Sequence, residues 1–244
     1  MDITFGIITL DNQRTVYQSI QSILGQNIPR MEIIVVGNYT PPLSQRRYVR
    51  VIRFNENIKR GWITRKKNII CQQAQYDTIV LMHDYIKLDT GWYDGMLMYT
   101  GSTDFYVTKI KKPNGERYRD YLLFKADILP HTLLPYDYDS TPVAKLMYIS
   151  GAYFIIKKSV ALQFPLDERL CHGQGEDVDL SQRLALNGIL PAFNPHSSVT
   201  LLKESYCEQL PISEEELASL DVENIFKQQC EHMVNCIYNV YCKN

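Results

Sequence analysis

No run in this chain of 244 residues approaches the ~20 consecutive apolar residues that a helix needs to cross a bilayer. The opening Met1-Asp2-Ile3-Thr4-Phe5-Gly6 has neither a basic n-region nor an apolar h-region, so the chain reads as cytoplasmic and without an integral membrane span. A charge excess is missing too: 26 Lys and Arg stand against 27 Asp and Glu, a formal net charge of -1. That balance offers no polyanion-binding surface and argues against nucleic acid as a partner. No CxxC pair occurs among the six cysteines (Cys71, Cys171, Cys207, Cys230, Cys236, Cys242), and without a secretory context they read as reduced thiols. Cys230, Cys236 and Cys242 recur every six residues, a spacing that scatters them around a helix axis and gathers no metal ligands. Internal repeats and low-complexity segments are also absent.

What is present is a globular composition, 45% hydrophobic and 22% charged, on a chain long enough to bury a sizeable core. One domain, or one domain with an appendage, follows. Ile3 to Leu10 is an apolar, β-branched run, and Val16, Ile20, Ile23 and Leu24 follow at helical spacing. Glu32 to Val36 is a second β-branched run, closed by Gly37-Asn38 and Pro41-Pro42. This βαβ pattern favours a parallel sheet. Val49 to Phe54 reads as a third strand, Ile63 to Gln75 as a helix with a basic first half, and Thr78 to Met82 as a fourth strand ending at His83-Asp84. Ligands of open α/β sheets collect at the carboxyl ends of strands, so Thr9, Gly37 with Asn38, and His83 with Asp84 are expected to face one crevice.

Beyond Asp104 the chain turns tyrosine-rich and irregular. Phe105 to Ile110 and Tyr118 to Phe124 read as a hairpin through Pro113-Asn114-Gly115. Tyr148 to Ile156 reads as a strand interrupted at Ser150-Gly151-Ala152, where small residues let a ligand approach the backbone. Glu176 to Asn187 is predicted to be a helix closed by Gly188. Ser213-Glu214-Glu215-Glu216 is a capping box, and Val222 to Val240 has a helical pattern whose apolar face would cover the core, a second subunit or, less expectedly, a membrane.

The segment Gly173-Gln174-Gly175-Glu176-Asp177-Val178-Asp179-Leu180 runs two glycines into three carboxylates at the mouth of that predicted helix. Acidic residues there ordinarily serve the helix dipole and its orphan N–H groups. A carboxylate held at a ligand-accessible edge also meets the needs of a general base. Trp62, Trp92 and Tyr153 offer flat faces to a base or sugar, although such rings are more often core.

Taken in order from residue 3 to 200, these pieces resemble the GT-A glycosyltransferases, and among them the family 2-like inverting enzymes. The resemblance rests on Ile3 to Thr9, Ser19 to Gln26, Glu32 to Val36, the Gly61…Arg65-x-x-Asn68 segment, Met82-His83-Asp84-Tyr85, Tyr148 to Ala152 and Gly175 to Leu180. It implies an α/β GT-A Rossmann-like mixed sheet flanked by helices over residues 1–203, with a nucleotide-sugar half (1–100), an acceptor half (101–203) and a C-terminal helical extension (204–244). It implies transfer of a sugar, with inversion, from a nucleoside-diphosphate sugar to a glycan or other hydroxyl acceptor. Asp177 would be the base, Glu176 would orient the acceptor, and Asp179 would be structural. Thr9, Asn38, Gly61, Arg65, Asn68, Asp84, Ser150 and Gly151 would hold the donor, and Trp92 and Tyr153 would line the acceptor pocket.

A divalent metal, Mn²⁺ or Mg²⁺, would sit on Asp84 with His83 or His196. His83-Asp84-Tyr85 departs from the family's paired carboxylates, so Lys59, Arg65, Lys66 or Lys67 are expected to share in neutralising the leaving diphosphate. Two alternatives stand beside this reading: a non-catalytic nucleotide- or glycan-binding module on the same fold, and a nucleotidyltransferase, for which Thr9 to Arg14 makes a poor phosphate loop. A homo-oligomer through the C-terminal helices is the further partner expectation.

Overall fold

The computed structural model describes residues 1–123, 132–133, 143–204, 210–211, 215, 218–229 and 231. Strand β1 (Ile3–Ile8) is followed by α1 (Gln13–Leu24), β2 (Met31–Val36), β3 (Val49–Ile52), α2 (Ile63–Gln73) and β4 (Thr78–His83). These four strands are parallel, in the spatial order β3-β2-β1-β4. The β-branched runs of β1, β2 and β4 are buried on both faces, as strands sandwiched between helices must be, while the edge strand β3 leaves Arg50 exposed. Gly6 of β1 is where α2 closes on the sheet: a Cβ there would strike Ile70.

The second half adds β5 (Ile86–Leu88), α3 (Trp92–Met98), β6 (Phe105–Lys111), β7 (Tyr121–Leu123), β8 (Thr132–Leu133), β9 (Met147–Ile149), β10 (Tyr153–Lys157), α4 (Lys158–Gln163), α5 (Glu176–Leu186), β11 (Ala192–Leu201) and β12 (Leu210–Pro211). The main sheet continues as β4-β10-β6-β11-β5, and a smaller sheet is ordered β12-β8-β7-β9. The sheet is mixed, because β10 runs antiparallel to both β4 and β6, and β5 antiparallel to β11. A single reversed strand in the interior brings the loop that precedes it to the same end as the carboxyl termini of the parallel strands.

Two expectations change in detail. The turn at 112–116 does fold back, with a bridge between Lys111 and Arg117, yet the strands it joins part company: β6 enters the main sheet and β7 the small one. The run 148–156 likewise belongs to two sheets, divided at Ser150-Gly151-Ala152. Near the end of the chain, 222–229 is helical, and Leu220, Val222, Ile225 and Phe226 pack on the core while Glu223 accepts from Lys145 at 2.5 Å. Of the capping box at Ser213, Glu215 alone is described, and the helical pattern beyond 231 lies outside the described residues. Cys71 and Cys171 are free thiols, and the other four cysteines also lie outside. Among the described residues no helix is long and apolar enough to cross a membrane.

Candidate active site at the carboxyl ends of the central strands

Two cavities open at this end of the sheet. The first, about 490 Å³, is lined by Leu10, Asp11, Asn38, Arg53, Phe54 and Arg60, among others, beyond the ends of β1 to β3. The second, about 440 Å³, lies beyond β4 and is walled by His83, Tyr85, Tyr118, Tyr148, the 150–152 loop, His172 and the start of α5 from Gly175 to Val178.

Between them the ends of β1 and β4 are tied together. The Thr9 hydroxyl donates to Asp84 Oδ2 at 2.5 Å, and the Asp84 amide donates to the Ile8 carbonyl at 3.1 Å. Gly37, at φ +141°, crosses against the Thr9 carbonyl so closely that a Cβ would collide with it. Burial raises the Asp84 pKa, against the Thr9 hydrogen bond and the charges of Lys203 and Lys66. His83 is buried, its Nε2 has no hydrogen-bond partner, and its ring meets Tyr85 edge-on at 5.3 Å. Desolvation holds this imidazole well below its ordinary pKa, helped by the charges of Lys67, His172 and Lys203, so it stays neutral.

The far wall of the second cavity is built on Gly151. Its N–H donates to Asp177 Oδ2 at 2.9 Å, and its carbonyl accepts from Lys67 Nζ at 2.7 Å. Lys67 is fully buried and stands 3.7 Å from Glu176 Oε1. Glu176 is itself 6% exposed, and burial pushes its pKa up while it pushes that of Lys67 down. Helix α5 starts from Gly175 in the left-handed region with no side-chain cap, and Asp177 Oδ1 instead accepts from the Val178 amide at 3.0 Å. Asp179 is drawn to Arg183 at 2.7 Å on the helix surface. Asp177 is therefore the carboxylate of the three that stands half-buried in the cavity wall beside an open volume.

The donor and pocket candidates distribute unevenly. Asn38 lines the first cavity and accepts from Arg53 at 2.5 Å, and Ser150 and Gly151 line the second. Arg65 and Asn68 point elsewhere, both onto Glu168, and Asn68 also exchanges hydrogen bonds with the Leu166 backbone. Gly61, at φ +69°, donates its amide to Glu56, and Lys59 and Trp62 reach the carbonyl of Glu168. Trp62, Thr64, Arg65 and Asn68 thus clamp the loop that leads into α5. Trp92 and Tyr153 are corrected from pocket walls to core: both are 0% exposed, and the indole Nε1 donates to the tyrosine hydroxyl at 2.8 Å. Apolar rings this large return more when the sheet covers them completely.

The metal expectation meets a thin donor set among the described residues. Asp84 is one carboxylate, and one of its oxygens already accepts from Thr9. His196 is exposed in the bulge of β11, three strands from β4, roughly 14 Å away at the usual strand spacing. Among the described residues no group of three or more His, Cys, Asp and Glu converges. A hard divalent cation is held by six or more oxygen-rich ligands, or by one or two carboxylates together with waters and substrate phosphates, and the described residues show no cluster beyond the single carboxylate of Asp84.

Residues that sequence reasoning missed are Lys203 and His172, which border the site, and Arg53, which reaches into the first cavity. The chemistry of a lone lysine after a strand carries no pattern, but its place at the end of β11 follows once β11 is known to pair with β5.

Comparison with protein-family models finds no match, and comparison with curated proteins finds none. Solved structures do match. The crystal structure of GalNAc-T7 with UDP, GalNAc and Mn²⁺ aligns over 86% of this chain and 45% of its own, at 14% identity and a TM-score of 0.63. That of S. aureus TarS aligns over 89% of this chain and 38% of its own, at 16% identity and a TM-score of 0.52. The TarS 1-349 fragment in complex with UDP aligns over 93% and 64%, at 13% identity and a TM-score of 0.52. This chain spans less than two thirds of the length of each. With the sheet order described above, these likenesses show that the chain has the GT-A fold.

Proposed function

We propose that the protein is a glycosyltransferase that moves a sugar from a nucleoside-diphosphate sugar to a hydroxyl acceptor, with inversion. The observation that carries this reading is the Gly151–Asp177 hydrogen bond, which fixes a carboxylate in the wall of a 440 Å³ cavity directly across from the end of β4. The neighbouring cavity at the ends of β1 to β3, with Arg53, Arg60, Asn38 and Phe54, suits the nucleoside. UDP is bound in the solved structures of GalNAc-T7 and of TarS 1-349, which agrees with a nucleotide donor here.

In the proposed reaction the acceptor oxygen attacks the anomeric carbon and its proton passes to Asp177. The bond from that carbon to the diphosphate oxygen breaks, and its electron pair leaves with the nucleoside diphosphate. Asp177 gains positioning from two backbone N–H groups, and proximity supplies much of the acceleration. Glu176, held on Lys67, fixes the start of α5 and with it the aim of Asp177.

The test is a screen of nucleotide-sugars by thermal shift and hydrolysis, followed by Asp177→Asn. Loss of transfer with donor binding kept is the expected result, and the anomeric configuration of the product, read by NMR, decides inversion. Turnover retained in Asp177→Asn would refute the base assignment. Binding with no turnover for any acceptor would favour the non-catalytic module, to which the lone carboxylate at 84 lends itself.

A further inference from the structure

The four cations named from the sequence as partners for a diphosphate are committed within the protein. Lys66 is buried on the Thr9 carbonyl and Glu56, Lys67 is buried on the Gly151 carbonyl and Glu176, the partly exposed Arg65 pairs with Glu168, and Lys59 donates to the carbonyls of Glu168 and Arg169. A different lysine faces the site. Strand β11 pairs antiparallel with β5, which sets Leu201 opposite Ile86 and lets the Leu202 amide donate to the Tyr85 carbonyl at 2.7 Å. The next residue, Lys203, therefore arrives beside the end of β4. Its Nζ lies 3.6 Å over the Tyr85 ring centroid, and its charge is felt by both Asp84 and His83. Lys203 is exposed and makes no ion pair with a described residue.

Next to it, His83 Nε2 lies buried without a hydrogen-bond partner in a side chain that lines the second cavity. A buried polar atom left unpaired destabilises the fold, and a ligand oxygen at that point would satisfy it. An ammonium at this position also repels a divalent cation, in addition to the thin donor set around Asp84.

We propose that Lys203 neutralises the diphosphate of the donor and leaving group in place of a divalent cation, while the neutral His83 imidazole beside it donates a hydrogen bond to a phosphate oxygen. This rests on the nucleotide-sugar reading of the same site. An ammonium on a flexible stem stacked over an aromatic ring is a point charge that can follow a phosphate as negative charge builds on it. The reaction would then run without added metal.

The experiment is a binding titration of the whole chain with UDP, GDP, ADP and CDP and with the matching nucleosides, each in EDTA and in MnCl₂. The best nucleoside diphosphate is expected to bind equally in both. Lys203→Gln should weaken it by about tenfold or more, the loss of one charge-assisted phosphate contact, and leave the nucleoside unchanged. Lys203→Arg should restore most of the affinity, which a merely structural role would not predict. Binding that requires Mn²⁺, or that is indifferent to Lys203→Gln, would overturn the proposal and leave the nucleotide-sugar reading standing. Failure of every nucleoside diphosphate to bind in either condition would defeat that reading, and the proposal with it.

Discussion

Gly151 and Asp177 hold one another through a 2.9 Å bond from the amide of a loop to the carboxylate of a helix, and the loop residue has no room for a side chain. A Cβ at 151 would lie 2.6 Å from Glu176 Oε1 and 3.3 Å from Asp177 Cβ. Gly151→Ala must displace Glu176 Oε1 from its place beside Lys67 and press on the Asp177 Cβ, which has to give by a few tenths of an ångström. Overpacking of this kind costs about 1–3 kcal/mol of stability. The displaced base should cost about 100-fold in kcat, with donor affinity nearly unchanged. Steady-state kinetics beside a denaturation curve separates the two effects, and unaltered kcat would show that Asp177 is not aimed by this contact.

Lys67 and Glu176 form a pair with almost no solvent. Lys67→Met leaves a buried carboxylate without its cation, and breaking such a pair costs about 3–5 kcal/mol. Adding Glu176→Gln removes the stranded charge, so the double variant is expected to be more stable than Lys67→Met alone. A urea series on wild type, both single variants and the double one measures the coupling. Additive losses would mean that the two groups do not interact.

Asp89 predicts a pH dependence. Its carboxylate accepts from Ser198 and Thr200 at 2.6 and 2.7 Å and meets Lys111 at 2.8 Å, joining β5 to β11 and β6. Burial works against its charge, but these partners prevail and hold the pKa below the ordinary carboxylate value. The folded pKa lies under the unfolded value of about 3.9, so the stabilisation is complete above that pH and fades as pH falls through the folded pKa. Asp89→Asn should lower stability near neutrality by about 1–3 kcal/mol and narrow its gap from wild type below pH ~4. Midpoints measured across that window check the sign: a gap that widens in acid would contradict it.

Tyr153→Phe removes the acceptor for the Trp92 indole N–H inside the core. A stability loss of about 1–3 kcal/mol is expected, with KM for the donor and acceptor unchanged, because neither ring reaches a cavity. A rise in acceptor KM at unchanged stability would return these rings to the pocket.

The first half of the sheet was legible because Ile3 to Ile8, Met31 to Val36 and Thr78 to His83 are β-branched runs closed by turn residues, a signal that local chemistry alone produces. Helix α5 was equally plain between Gly175 and Gly188. Strand β11 was not, because Asn194-Pro195-His196-Ser197-Ser198 reads as a loop, and here it is a bulge carried by pairing with β6 on one side and β5 on the other. Lys66 and Lys67 look like a solvated basic face in sequence. Their burial depends on Glu56 and Glu176, which lie on other elements, and no local pattern encodes that. The same holds for Arg65 and Asn68: the family resemblance implied a ligand, and the fold supplies Glu168.

Strand β5 has a kinetic consequence. It stands at one edge of the main sheet, and its partner there is β11, near the far end of the described chain. During synthesis Ile86–Leu88 must wait, with its backbone groups unpaired, until the residues up to Leu201 have been made. Pairings between such distant segments form slowly, and a waiting strand is open to the wrong partner. A chain cut short before Ala192 would leave the edges of both β5 and β6 uncovered, and its fate would be aggregation before any question of turnover arose.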